Sequence, residues 1–170
     1  KNKNYIEKAK FLSTQARDDF PHYEHSEIGY NYRMSNVLAA IGLGQMEVIE
    51  DHIKRTREIN KIYREEVGEY FWDFQNERES DRSNMWLTCA LMKGEYEPSS
   101  LIDHLGKSKI EARRIWKPMH QQPVMSKYRK YINGTADTLF TQGICLPSGS
   151  SMDDKDMERV IKSIKTFFTK

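Results

Sequence analysis

The sequence predicts an α+β layer, a small sheet with helices on one face. Three observations lead there. Leu38, Ile41, Gln45, Val48, Ile49, Ile53, Ile59, Ile62 and Val67 recur near a 3.6-residue period, the mark of a long amphipathic helix. Residues 85–92, 109–116 and 144–146 are short apolar or alternating runs that read as strands. Helix signals lie between and after them, so the order from residue 35 is helix, strand, helix, strand, helix, strand, helix.

Each element has its own signature. In residues 5–16, Tyr5, Ala9, Leu12 and Ala16 form a loose helical stripe, which Asp18, Asp19 and Pro21 break. Residues 20–34 have no period and are rich in His and Tyr, as an ordered loop would be. Ser35 is an N-cap candidate for one long helix running to about Val67, roughly 50 Å at ~1.5 Å per residue. Gly42 and Gly44 in its first third fit close approach of another backbone, such as a partner helix, or a kink. The run MWLTCALM (85–92) is a buried strand. Pro98 and Ser99 start a helix through Leu105. KIEARRIW (109–116) alternates partly and Pro118 ends it. Residues 136–142 are a short helix, and 144–146 a strand closed by Pro147. Residues 151–154 cap a last helix, where Met157, Val160, Ile161, Ile164, Phe167 and Phe168 make the apolar stripe.

Composition narrows the function. The 170 residues suffice for one domain, or one domain plus an arm. Lys and Arg total 27 against 25 Asp and Glu, a net charge of +2, which argues against a mainly electrostatic nucleic-acid binder. No apolar run approaches the ~18–20 residues of a membrane span. Cys89 and Cys145 are too few for a disulfide scaffold or a four-cysteine zinc site, and Cys89 reads as packing inside an apolar strand. The chain opens on Lys1 with no secretory pattern and reads as a piece of something longer.

Several clusters invite chemistry. His22 and His25 lack a third ligand of matching spacing, and a metal is not expected there. Asp153, Asp154 and Asp156 lack the Gly and closing Glu of a calcium loop; helix capping accounts for them. The segment EIGYNYRMS (27–35) is different. Asn31 offers an amide and Arg33 a planar fork suited to carboxylate or phosphate; the plainer reading is a polar loop capping the helix. Trp116, Lys117 and His120, preceded by Arg113 and Arg114, could grip a phosphate while the indole stacks on a flat ring, or form a solvated basic turn. LPSGSS (146–151) offers backbone N–H groups, or simply starts the last helix.

The stretches SEIGYNYRMSNVLAAIGLGQME (26–47), RRIWKPMHQQP (113–123) and CLPSGSSM (145–152) together resemble the C-terminal part of the DegT/DnrJ/EryC1/StrS family. The resemblance covers nearly the whole chain in order and spacing. It implies the small C-terminal domain of a fold type I, aspartate-aminotransferase-like enzyme, with a small antiparallel sheet backed by helices. Residues 1–34 would then be the end of the large domain with its active-site loop, and 35–170 the small domain with its long linking helix. The resemblance further implies a cytoplasmic, pyridoxal-phosphate-dependent homodimer with shared active sites. It would aminate a 4-keto-6-deoxy sugar nucleotide, with glutamate as donor, in polysaccharide biosynthesis. HYEHSEIGYNYRMSN with WKPMHQQP is similar to the branch acting on UDP-4-keto-6-deoxy-N-acetylhexosamines, as in bacillosamine synthesis.

By the same resemblance, Asn31 would reach the cofactor phosphate in the partner's active site. Arg33 would hold an anionic group such as the donor carboxylate. His25 and Tyr30, in the 22–30 loop, would line the sugar-nucleotide side, and Trp116, Lys117 and His120 its mouth. The Schiff-base Lys would lie before residue 1, because Lys1, Lys3, Lys8 and Lys10 lack its context. The isolated chain is therefore expected to be inactive and not to retain the cofactor. Two other readings are a non-catalytic module that dimerises through the Gly42/Gly44 helix, and a cofactor-free nucleotide-sugar-binding domain.

Overall fold

A computed structural model describes residues 2–169; Lys1 lies outside the described residues. The backbone divides into two units, the first ending at Val48 and the second beginning at Ile49.

The first unit holds α1 (Lys3–Ser13), a loop, and α2 (Asn36–Glu47). Asn2 caps α1 by accepting from the Asn4 amide at 3.1 Å, and Ser35 caps α2 by accepting from the Leu38 amide at 3.3 Å. The stripe expected over 5–16 is revised. Tyr5 is 76% exposed, and Ala16, which is fully buried, lies beyond the helix in a left-handed turn with Gln15. No residue of α2 is buried: Val37, Leu38, Ile41, Leu43 and Met46 are all exposed. A Cβ at Gly42 or Gly44 would meet no atom within 4 Å, and α2 stays helical through both, so neither glycine kinks it.

The single helix expected from Ser35 to Val67 is corrected. It is interrupted at Val48, whose φ of −113° and ψ of 5° leave the helical basin, and α3 (Ile49–Val67) begins directly after. The apolar repeat continues across this point, so hydrophobicity alone cannot register the break.

The second unit contains α3, β1 (Phe71–Phe74), β2 (Thr88–Met92), α4 (Pro98–Lys107), β3 (Arg113–Arg114), α5 (Thr135–Gln142), β4 (Gly143–Leu146) and α6 (Asp154–Phe168). The four strands form one antiparallel sheet in the order β1-β2-β4-β3. β1 carries no clear alternation because its register slips between Phe71 and Asp73, a bulge that turns Trp72 and Asp73 both outward. The strand expected over 109–116 shrinks to Arg113–Arg114, and that over 85–92 starts at Thr88.

Three helices cover one face of the sheet. Ile59, Tyr63 and Val67 of α3, Leu101 and Leu105 of α4, and Val160, Ile161 and Ile164 of α6 pack with Ala90, Met92, Ile144 and Leu146 into one core. The short α5 lies against the other face, where Leu139 and Ile115 line a cavity with Cys89 and Leu91. Polar groups within the core are paired. The Tyr63 hydroxyl donates to the Pro147 carbonyl at 2.8 Å, the Thr88 amide to Ser148 Oγ at 2.8 Å, and Ser148 Oγ to the Leu146 carbonyl at 2.8 Å. These bonds tie the 147–148 turn to α3 and β2. Arg55 of α3 donates to the Met152 carbonyl at 3.1 and 2.8 Å and pairs with Asp154 at 3.1 Å. Asp153 caps α6 by accepting from the Asp156 amide at 2.8 Å, so the acidic cluster works as a helix start. Among the described residues no group of His, Cys, Asp or Glu could hold a metal ion, and no helix is long and apolar enough to cross a membrane.

Candidate functional site

In the first unit, the loop from Ser26 to Ser35 lies against the end of α1. The Tyr30 amide donates to the Leu12 carbonyl at 2.8 Å, the Tyr32 amide to the Ser13 carbonyl at 3.0 Å, and the Gln15 amide back to the Tyr30 carbonyl at 3.0 Å. Asn31 thus sits in an isolated antiparallel bridge with Thr14. Gly29 permits this approach, because a Cβ there would lie 2.7 Å from the Ala16 Cβ and closer still to the Gln15–Ala16 backbone.

Side chains pin the rest of the loop. Asp18 accepts from the Ser26 amide at 2.6 Å and from Ser26 Oγ at 3.0 Å, Lys8 pairs with Glu27, and His25 Nδ1 meets the Gln15 carbonyl at 3.0 Å. His22 pairs with Glu24 at 2.9 Å, so the two histidines serve the loop separately. Tyr30 and Tyr32 stack with ring centroids 5.0 Å apart. The backbone is thus held at both ends of Asn31, while the Asn31 and Arg33 side chains are exposed. Among the described residues the Arg33 guanidinium has no ion-pair partner. A fixed backbone presenting a free amide and a free guanidinium suits capture of a carboxylate or phosphate.

In the second unit, Trp86 and Trp116 face each other with ring centroids 6.1 Å apart. They line a cleft of about 440 Å³ with Arg113, Cys145, Pro147, Ser148 and Gly149. Lys117 and His120 are not part of its lining. His120 Nε2 instead meets Asp137 Oδ1 at 2.7 Å, and Gln121 donates to the same oxygen. The basic cluster expected around Trp116 is less free than its sequence implies. Arg113 is held by Glu111 at 2.8 and 2.6 Å, and Arg114 by Glu97 at 3.6 Å with the Ser99 hydroxyl and the Phe140 carbonyl. Lys117 has no ion-pair partner among the described residues. Trp86, thirty residues from Trp116 in sequence, was legible only as part of an apolar run.

The hydrogen bond from His120, followed by that from Gln121, holds the Asp137 carboxyl below the usual carboxylate range. Its contribution to stability is therefore present above the unfolded carboxylate value and is lost as pH falls through the depressed folded value. Denaturant midpoints of the native chain and of Asp137→Asn are expected to differ at neutral pH and to converge in acid. A gap that persists unchanged in acid would show that the His120 contact does not depend on the Asp137 charge.

Comparisons with known proteins place these elements. A model of the DegT/DnrJ/EryC1/StrS aminotransferase family matches residues 1–165. EpsN of Bacillus subtilis (strain 168), assigned as a pyridoxal phosphate-dependent aminotransferase, is 39% identical over 168 residues, which are 96% of this chain and 43% of that protein. The GDP-perosamine synthase of Escherichia coli O157:H7 is 36% identical over 148 residues, 86% of this chain and 40% of that protein. The fold matches Helicobacter pylori PseC, an aminotransferase involved in the biosynthesis of pseudoaminic acid. The TM-score is 0.81 at 20% identity, over 99% of this chain and 47% of that one. The chain spans less than half the length of these relatives.

Proposed function

The chain belongs to the DegT/DnrJ/EryC1/StrS aminotransferase family, and on that premise we propose that it forms the C-terminal portion of a pyridoxal-phosphate-dependent sugar-nucleotide aminotransferase. The observation that carries the reading is the 26–35 loop, docked by its backbone on α1 with Asn31 and Arg33 free at its surface. In this proposal Asn31 binds the cofactor phosphate across a dimer, and Arg33 the donor carboxylate, that of glutamate. His25 and Tyr30 line the sugar-nucleotide side, while Trp116, Lys117 and His120 lie at the mouth. The substrate is a 4-keto-6-deoxy sugar nucleotide. Relatives whose names carry GDP-perosamine and a UDP-linked amino sugar make UDP and GDP the two nucleotides to test. Such an enzyme works in the cytoplasm, where nucleotide sugars are made.

Pyridoxal phosphate supplies an electron sink when bound. The residues described here fit only its anionic side. Every described lysine is exposed except Lys165, which is half-buried and paired with Glu66 at 2.7 Å. None offers the buried amine that would hold the aldehyde, and we assign that group to sequence preceding this chain.

For the protein that carries this chain, transfer of glutamate nitrogen to a UDP- or GDP-4-keto-6-deoxy sugar is expected, and none for the chain alone. Asn31→Ala is expected to lower the cofactor retained after dialysis at least about tenfold, the effect of losing one good hydrogen bond to a charged group. Unchanged retention would remove the phosphate role, and borohydride fixation of the cofactor onto a lysine of this chain would overturn the assignment of the missing amine.

A further inference from the structure

On the sheet face turned away from the main core, Cys89 of β2 stands directly opposite Cys145 of β4. Their Sγ atoms are 3.5 Å apart, and both are free thiols. The Cys89 amide donates to the Gln75 side chain, and its carbonyl accepts from the Gln75 amide at 3.1 Å. Both of its backbone groups are thus used on the β1 side. Towards β4 the two cysteines form a non-hydrogen-bonded pair, the closer kind, with Cα atoms about 4.5 Å apart. That spacing falls within the range of about 4.4–6.8 Å that a disulfide spans.

Each cysteine lines an opening in the surface. Cys145 lines the Trp86–Trp116 cleft, with Arg113 as its neighbour across the β3–β4 pairing. Cys89 lines the cavity of about 310 Å³ beside Leu91, Ile115 and Leu139. The hydrogen bond between the two sulfurs holds Cys145 below the ordinary thiol value; burial opposes this, and the Arg113 charge adds to it. The same hydrogen bond, with burial, pushes Cys89 up. One sulfur is thus prepared to attack and the other carries the proton.

We propose that Cys89 and Cys145 are an oxidative modification site, a dithiol that hydrogen peroxide converts reversibly into a cross-strand disulfide at the edge of the Trp86–Trp116 cleft. The Cys145 thiolate attacks one peroxide oxygen, the O–O bond breaks, and hydroxide leaves and takes a proton to become water. Cys89 then attacks the sulfur of the sulfenic acid so formed. The S–S bond forms, the S–O bond breaks, and the Cys89 proton departs with the oxygen as a second water. Two thiols lose two electrons, and one peroxide becomes two waters. The product joins the two central strands covalently. The proposal stands on the β2–β4 register and does not depend on the aminotransferase reading.

Intact-mass spectrometry of the reduced chain after peroxide treatment tests it. A loss of about 2 Da is expected, with both thiols disappearing together and a proteolytic peptide pair linked between 89 and 145. Dithiothreitol should restore the original mass. In Cys89→Ala, Cys145 should accumulate as a sulfenic acid that dimedone traps, and in the reduced native chain sub-stoichiometric iodoacetamide should label Cys145 at least about tenfold more than Cys89. Oxygen addition of about 16 Da per thiol without a linked pair, or linkage only between two chains, would overturn the proposal. Equal labelling of the two sulfurs in the native chain would overturn the assignment of Cys145 as the attacking sulfur.

Discussion

Replacing Tyr63 by Ala is expected to lower the unfolding free energy by about 3–5 kcal/mol, the range for emptying an aromatic site in a packed core. Tyr63 is fully buried in α3 between the sheet and α6, and its hydroxyl is the donor that holds the Pro147 carbonyl at 2.8 Å. Truncation therefore leaves a cavity and an unpaired carbonyl together. Tyr63→Phe separates the two effects. It keeps the ring and loses only the hydrogen bond, at about 1–2 kcal/mol. Urea unfolding with an unchanged slope measures both. A Tyr63→Ala loss below about 1 kcal/mol would show that the site collapses without a cavity.

Tyr63 also carries a pH signature. Burial pushes its phenol up. Its contribution is thus fully present below the unfolded phenol value, about 10, and is lost as pH rises from there towards the raised folded value. Tyr63→Phe should flatten that alkaline loss.

Gly29→Ala is expected to release the 26–33 segment from α1 at a local cost of about 3 kcal/mol, the upper end of overpacking penalties. The added Cβ would press on the Gln15–Ala16 backbone, which is itself in a left-handed turn with φ values of 67° and 49° and has little room to retreat. Exchange of the Tyr30, Tyr32 and Gln15 amides, all bonded across this contact, should accelerate on the order of a hundredfold. The amides of α6 should not change. Unaltered exchange at Tyr30 would mean that the loop accommodates the methyl group, and Gly29 would lose its assigned role.

The elements that were legible in sequence are those whose cause is local. The 3.6-residue stripe of α6, the Ser35 cap of α2 and the Pro98 start of α4 each depend on residues within a turn or two of one another. β1 escaped because a bulge erases its alternation, and the break at Val48 escaped because the apolar repeat runs through it. Within the candidate site, Asn31 and Arg33 were legible as residue types in a motif. Their presentation was not, since it depends on Gly29 packing against a turn thirteen residues earlier in the chain.

Periodicity and motif spacing are properties of neighbouring residues, and they suffice for the α+β class, the α3 and α6 stripes and the family. Long-range packing brings Trp86 to Trp116, turns His120 to Asp137, and sets Cys89 against Cys145 across 56 residues. The first two join loop and helix residues that the folded sheet brings together, and the cysteine pair follows from strand register. Register is set by burying one face of the whole sheet at once, and a slip of β2 by a single residue would send Cys89 to the opposite face.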